Sequence, residues 1–233
     1  MPKGEPSLAD RAYRMLRRDL LAGEFAPGQP LRLGMLSARY DLSFSPIREA
    51  LTRLAADRLV ILSSLRGFRV AEISTQEMWD IISTRILVES EALRRSIAWG
   101  DETWEGGIVG AFHALSRLSS TAPPSDPDLV EMRHMTFHRA LIAACGSPSL
   151  LDIAERYYTQ SEWYRRPTLV ARAGARTTTR DVMAEHREIM ERALARDADA
   201  AVEALARHYR RTGDSIETIL TAHDPAQGGA RAG

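Results

Sequence analysis

The chain has 233 residues, 44% of them hydrophobic and 27% charged, with a formal net charge of zero. This is the make-up of a soluble globular protein with one large or two modest cores, and it excludes a fibrous or wholly disordered chain. A single cysteine, Cys145, excludes an internal disulfide framework and fits a reducing cytoplasm. No apolar run reaches the length that spans a bilayer, and the N-terminus lacks the apolar stretch of a secretion signal, so a cytoplasmic protein with no membrane partner is expected.

The zero charge hides a division. Residues 1–71 hold 12 Lys and Arg against 7 Asp and Glu, a net of +5, and residues 72–233 hold 19 against 24, a net of −5. A basic first third beside an acidic remainder points to a polyanion-binding module joined to a domain of another kind.

Residues 1–7 read as a loose tail. Leu8, Ala12, Leu16 and Leu20 recur at helical spacing and predict a helix to about Ala22, ended by Gly23. Gly23–Pro30 is turn-rich, and a short helix is expected over Leu33–Tyr40. After the turn Asp41-Leu42-Ser43 comes a second helix to about Asp57, with Ser45 expected as its cap and Pro46 as its first residue. Ile47, Ala50, Leu51 and Leu54 put one stripe of that helix against a core. Ser43, Phe44, Ser45, Arg48, Thr52 and Arg53 are left pointing outward. A helix that begins with hydroxyls and arginine and follows a short helix and a tight turn suits entry into a DNA major groove; an ordinary amphipathic surface helix is the plain alternative. Leu59–Leu62 and Phe68–Val70 read as strands around the tip Ser63–Gly67, where Arg66 beside Gly67 would reach the DNA backbone or minor groove. Residues 8–73 thus form a winged helix-turn-helix, with Arg32, Ser43, Phe44, Ser45, Arg48, Thr52, Arg53, Arg66 and Gly67 as the candidate DNA-binding residues.

From Ser74 on, only helical pattern is found. Ser74 and Glu77 have capping-box spacing and open a helix to about Trp99, whose apolar residues include Ile81, Ile82, Leu87, Val88 and Leu93. Further helices are expected over about 101–119, 127–145, 148–166, 177–195 and 198–221. The breaks fall at Thr121–Pro124, Gly146–Pro148 and around Ala173–Thr178. Residues 74–222 are therefore expected to be an all-helical bundle, with 223–233 a disordered tail. The fold class is mainly α.

Two spacings in the bundle carry chemistry. His134 and His138 stand at i and i+4, where two imidazoles on one helix face can share a metal, although such a pair also arises by chance. Arg85 and Glu89 have the same spacing, which by itself is that of a surface ion pair.

The chain resembles the GntR family of bacterial transcription regulators. In residues 8–73 the likeness is carried by Leu20–Gly23, Pro27-Gly28, Leu31, Leu36, Pro46–Leu51, Leu54, Leu59-Val60, Arg66-Gly67 and Val70. Where members often carry arginine between two hydroxyl residues, this chain has Phe44, which can stack or touch a thymine methyl but cannot read guanine, so the operator sequence does not carry over. Arg48 stands where the family's recognition-helix arginine stands.

Residues 77–221 resemble the helical ligand-binding domain of the FadR/FCD branch. There an Asp and three His on three helices bind a divalent metal. The matching positions are His134 (in place of the Asp), His138, His186 and His208. The resemblance implies a transition metal, zinc or nickel, with affinity reduced or the metal absent because histidine replaces aspartate. It also turns Arg85 inward to grip a carboxylate effector together with the four histidines. A narrower likeness, over Phe25–Arg32, Leu36–Tyr40, Ala56–Val60, Gly67–Ala71, His134–His138 and Ala144–Ser147, is to the carbon-starvation-induced, glutarate-responsive group, implying glutarate or a related dicarboxylate. The expected protein is a dimeric repressor that binds a roughly palindromic double-stranded operator and is not an enzyme. The rival readings are a metal-ion sensor and a metal-dependent hydrolase. Against the latter, there is no His-Glu-x-x-His, and Glu185, next to His186 on one helix, points about 100° away from it.

Overall fold

Helix α1 (Leu8–Leu21) is fixed at its start by Ser7, whose hydroxyl accepts from the Asp10 amide at 3.0 Å while the Asp10 carboxylate accepts from the Ser7 amide at 3.2 Å. This reciprocal capping box places Ser7 at the helix boundary, one residue inside the expected tail. The computed structural model describes residues 7–64, 66–119, 126–174 and 180–222. The tails at 1–6 and 223–233, the break at Thr121–Pro124 and most of the expected 173–178 link lie outside them. The chain divides into two compact units, one of residues 1–74 with 162–167 and one of residues 75–161 with 168–233.

In the first unit, α2 (Leu33–Tyr40) ends at Asp41, whose left-handed backbone (φ 51°) turns the chain toward α3 (Phe44–Ala56). The sequence predicts α3 to begin at Pro46 with Ser45 as cap. It begins two residues earlier with Ser43 at the boundary and Pro46 in the third position, which costs nothing because the first four amides of a helix have no intrahelical partner. Leu16, Leu20, Leu36, Ile47, Leu51, Leu54 and Leu59 meet in a core in which each is under 2% exposed. Asp19, also buried, accepts hydrogen bonds from Tyr40 (2.9 Å) and Arg39 (3.1 Å), joining α1 to α2. Strands β1 (Val60–Ser63) and β2 (Gly67–Val70) pair antiparallel, with Val60 opposite Val70 and Ser63 opposite Gly67, and β1 packs on α3. Gly67 has φ +69°, a conformation that a side chain would strain.

The second unit contains α4 (Thr75–Trp99), α5 (Glu102–Ser119), α6 (Pro127–Ile142), α7 (Pro148–Gly174) apart from its residues 162–167, α8 (Val182–Leu194) and α9 (Ala198–Ala222). Asp126 caps α6 with Pro127 just inside it, and Asp181 caps α8 by accepting from the Ala184 amide at 2.9 Å. That cap starts α8 five residues later than expected. Helix α6 stops three residues short of position 145, where Ala143–Cys145 turn into Gly146 at φ +65°. Helix α7 runs past its expected end at 166 to Gly174: Pro167 removes one backbone bond without ending the helix. Leu87, read as one of the apolar residues of α4, is 73% exposed, whereas Met78, Ile81, Ile82 and Leu93 are buried. Helix α9 packs closely on α4, and Gly213 permits it, since a Cβ there would lie 2.5 Å from the Trp79 ring. Phe137, Leu93, Ile108 and Leu141 are fully buried, and the Phe137 ring packs against those of His138 and His186. Among the described residues no helix is long and apolar enough to cross a membrane.

Candidate functional site

The helix-turn-helix surface is set by α3. Its buried stripe turns Ser43, Phe44, Ser45, Arg48, Thr52 and Arg53 outward, and all six are exposed, Phe44 by 53%. Arg32 is exposed at the start of α2, and Arg66 and Gly67 are exposed on the hairpin that follows α3. The candidates differ in what already holds them. The Arg53 guanidinium bonds the Asp10 carboxylate at 2.7 Å and lies 4.4 Å from the centre of the Tyr13 ring, tying α3 to α1. Thr52 donates to the Arg48 carbonyl at 2.9 Å. The Arg48 guanidinium has no hydrogen bond or ion pair among the described residues.

In the bundle, the four histidines come together from three helices: His134 and His138 from α6, His186 from α8 and His208 from α9. One ring nitrogen from each lies within 4.8 Å of the other three, and all but His134 are buried. Behind three of them stand acceptors that sequence reasoning did not find. The Tyr158 hydroxyl donates to the Glu131 carboxylate at 2.7 Å and sits 2.8 Å from His134 Nδ1. The Tyr209 hydroxyl donates to Glu89 and sits 3.0 Å from His138 Nδ1. Glu185 Oε2 is 2.8 Å from His208 Nδ1.

Each phenolic hydroxyl has one hydrogen, and a carboxylate only accepts. The protons of His134, His138 and His208 therefore reside on Nδ1, which leaves the Nε2 lone pairs for the interior of the cluster. His134 Nε2 and His138 Nε2 are 3.1 Å apart. In the neutral tautomers two lone pairs face one another there, and a cation relieves the repulsion. Two tetrahedral zinc ligands at the usual 2.0–2.1 Å stand about 3.3 Å apart, close to that separation. His186 makes the same case differently: it is buried, and neither of its ring nitrogens has a hydrogen-bond partner among the described residues. Four imidazoles with inward nitrogens, one of them otherwise unsatisfied, fit a borderline-soft divalent ion such as zinc or nickel.

Burial lowers the imidazole pKa of His138 and His186 well below the ordinary range, and the charge of neighbouring groups adds to it. His208 shifts the same way, again chiefly through burial, against the pull of Glu185. These groups are thus neutral in the folded protein at pH 7, ready as ligands. Since their folded values lie under the unfolded one, the unfolded chain takes up protons first on acidification. The metal-free protein is accordingly expected to hold its full stability above about pH 6.5 and to lose up to about 1.4 kcal/mol per pH unit and histidine as the pH falls toward the depressed values. Thermal melts of chelated protein between pH 8 and pH 5 check this; a melting temperature flat across that range would contradict it.

Arg85 is buried beside the cluster, as the family resemblance implies, but its donors are engaged. Nε bonds Glu89 at 2.7 Å, Nη1 bonds Ser161 at 3.0 Å and Nη2 bonds Tyr209 at 2.8 Å, with the guanidinium 4.2 Å from the Tyr209 ring centre. Glu185 is also engaged, accepting from Arg180 at 2.9 and 2.6 Å and from Arg211 at 3.1 Å. Burial raises its pKa, but the bonds from Arg180 and His208 outweigh that and hold the carboxyl far below the usual range. A cavity of about 320 Å³ opens between α6 and α7, with His138, Tyr158 and Glu89 at the cluster end and Met135, Leu151 and Arg139 along its walls. Among the described residues, Arg139 is held there only by a loose, exposed pair with Glu155 at 3.6 Å.

Residues 8–70 match the family described as bacterial regulatory proteins, gntR family, and residues 80–211 match the FCD domain. The chain is 36% identical over 197 residues to the HTH-type transcriptional repressor GlaR of Escherichia coli K12, covering 84% of this chain and 90% of that protein. It is 38% identical over 205 residues to the HTH-type transcriptional regulator BphR of Paraburkholderia xenovorans LB400, covering 87% and 82%. Among solved structures, McbR/YncC of E. coli has a TM-score of 0.72 at 18% identity, over 92% of this chain and 99% of that one. A GntR regulator from Rhodococcus sp. RHA1 has a TM-score of 0.71 at 21% identity, over 91% and 99%. At those identities the structural likeness speaks for the shared fold alone.

Proposed function

Because this chain belongs to the GntR family of bacterial regulatory proteins and carries an FCD domain, we propose that it is a homodimeric repressor whose hold on a roughly palindromic operator is released by a small carboxylate. That it is a DNA-binding transcriptional regulator and not an enzyme follows from the family. The observation that carries the finer reading is the histidine cluster: four imidazoles within 4.8 Å, at the end of a cavity large enough for a small organic acid. His134, His138, His186 and His208 would hold a divalent metal, zinc or nickel, and that ion would supply an electrophilic anchor for one carboxylate of the effector. The chain's own groups do the rest. Met135 and Leu151 line an apolar stretch for a short methylene chain, and Arg139 at the cavity wall is placed to exchange its loose pair with Glu155 for a second carboxylate. A dicarboxylate of glutarate's size is the effector this arrangement favours. Arg85, its donors bound to Glu89, Ser161 and Tyr209, acts by holding Tyr209 and Glu89 behind His138. Binding changes DNA affinity only as far as the effector prefers the arrangement of the dimer that does not fit the operator.

Calorimetric titration of the purified protein with glutarate, with shorter and longer dicarboxylates and with a monocarboxylate tests this, before and after chelator treatment. Glutarate binding that disappears with the metal and returns when zinc or nickel is added back is expected. Binding that survives chelation would remove the metal from the effector site. No binding of any acid in either state would overturn the effector assignment.

A further inference from the structure

Helix α3 presents two outward lines of side chains at four-residue spacing: Phe44, Arg48 and Thr52 on one, Ser45, Glu49 and Arg53 on the other, all exposed. The second line is turned toward α1, because Arg53 bonds Asp10 of that helix at 2.7 Å and lies over the Tyr13 ring. It also carries the Glu49 carboxylate, which the phosphates of a duplex repel. The first line is therefore the one left to face a DNA groove. On it the Thr52 hydroxyl donates back to the Arg48 carbonyl at 2.9 Å, so the line offers DNA one cation, Arg48, and one large apolar group, Phe44. Single exposed apolar side chains are ordinary on protein surfaces. Phe44 is set apart by its place: it is the first residue of α3, at the end of a recognition helix that reaches base edges, and it is 53% exposed there.

A phenyl ring in the major groove has no hydrogen bond to give to a base edge. Among the groups that the four bases display there, thymine alone offers an apolar one, its 5-methyl. Resting on the reading of α3 as the DNA-recognition helix, we propose that Phe44 is a specificity-determining residue that reads a thymine methyl close to the base that Arg48 contacts. The helix sets the register. Residues 44 and 48 are one turn apart, about 6 Å along the axis, and successive base pairs are about 3.4 Å apart, so the thymine lies within about two base pairs of the Arg48 contact. The ring treats thymine and a cytosine methylated at the same carbon alike, since both put a methyl group at one place in the groove. It separates thymine from uracil, which pairs identically and lacks the methyl. Each operator half-site therefore contains a thymine that is selected for its methyl rather than for its pairing.

The test begins with operator DNA selected from random sequence by the full-length protein. The thymines are replaced by deoxyuridine one position at a time, in both half-sites together. Affinities are measured by fluorescence anisotropy for the wild type, Phe44→Ala and Arg48→Ala. At one position the loss of the methyl is expected to weaken wild-type binding about 4-fold per half-site, about 15-fold over a two-fold operator. Phe44→Ala is expected to bind the thymine and uracil operators equally. With a cytosine–guanine pair at that position, 5-methylation of the cytosine is expected to tighten binding by the wild type and not by Phe44→Ala. A half-site without thymine, wild-type affinity that no uracil substitution changes, or a uracil effect that persists in Phe44→Ala would overturn the proposal. The uracil comparison on the wild type needs no variant, so it stands whatever Phe44→Ala does to folding. Arg48→Ala keeps the two readings apart. If it leaves operator affinity unchanged, the reading of Arg48 falls while the uracil comparison still decides Phe44. If it weakens binding and uracil has no effect, α3 remains the recognition helix and the methyl reading falls.

Discussion

Replacing Arg48 with alanine is expected to lower operator affinity at least about 30-fold while leaving zinc and glutarate binding unchanged. Arg48 is exposed on the outer face of α3, near the end that begins Ser43-Phe44-Ser45, and among the described residues its guanidinium has no partner to which it is already committed. A guanidinium contact to a base edge contributes about 1–3 kcal/mol, and a two-fold dimer uses it twice, about 2–6 kcal/mol in all. Arg53 serves as the internal comparison. Its guanidinium is occupied by Asp10 and stacked on Tyr13, so Arg53→Ala should disturb operator affinity less and the packing of α3 on α1 more. Fluorescence anisotropy on a labelled operator, with melting curves for each variant, separates the two effects. Equal operator affinity for Arg48→Ala and wild type would show that α3 is not read out through this residue.

His186→Leu is expected to do two opposite things. Metal affinity should fall on the order of 10²–10³-fold, because a four-ligand zinc site worth about 10–16 kcal/mol loses about a quarter of its binding energy. The metal-free protein should become more stable, by about 1–3 kcal/mol. His186 is buried with both ring nitrogens unpaired among the described residues and packs against the Phe137 ring at 5.1 Å between centres, so an apolar side chain there removes an unsatisfied polar group without losing a hydrogen bond. Opposite effects on the empty and the filled protein would mark His186 as a ligand and not a packing residue. Melting curves with and without zinc decide it: a variant less stable than the chelated wild type would make His186 a structural residue instead.

The helix-turn-helix was legible because its elements are written in local chemistry. Ile47, Ala50, Leu51 and Leu54 announce the buried stripe of α3, Gly67 the hairpin and Asp41 the turn, and all are decided within a few residues of themselves. The boundaries were less legible. Ser45 and Pro46 look like a cap and a first residue, yet Ser43 begins the helix, because proline is tolerated anywhere in the first turn. Ser7 and Asp10 carry a capping signal of their own, weaker than the apolar one of Leu8, Ala12 and Leu16 that sets the expected boundary. In the bundle, the i,i+4 spacing of His134 and His138 pointed to one face of α6, but only the family resemblance added His186 and His208, which come from helices 48 and 70 residues further along the chain. The layer behind the rings could not be read at all. Glu131 stands near His134 in sequence, but Tyr158, Tyr209 and Glu185 acquire their meaning only when α7, α8 and α9 pack around α6, and nothing in their local sequence distinguishes them from ordinary helix residues. The same holds for Arg85: its spacing from Glu89 is that of a surface pair, and only packing shows it buried, with three bonds inside the bundle.

The most direct measurement of the whole account is operator release. A labelled DNA fragment selected by the protein from random sequence is bound to metal-free protein, and anisotropy is followed on adding zinc alone, glutarate alone and both together. The account predicts selective DNA binding, little change with either addition alone, and release when both are present. Release by zinc alone would make the ion itself the effector, and DNA affinity unmoved by any of the three additions would contradict the assignment of the histidine centre as the sensor.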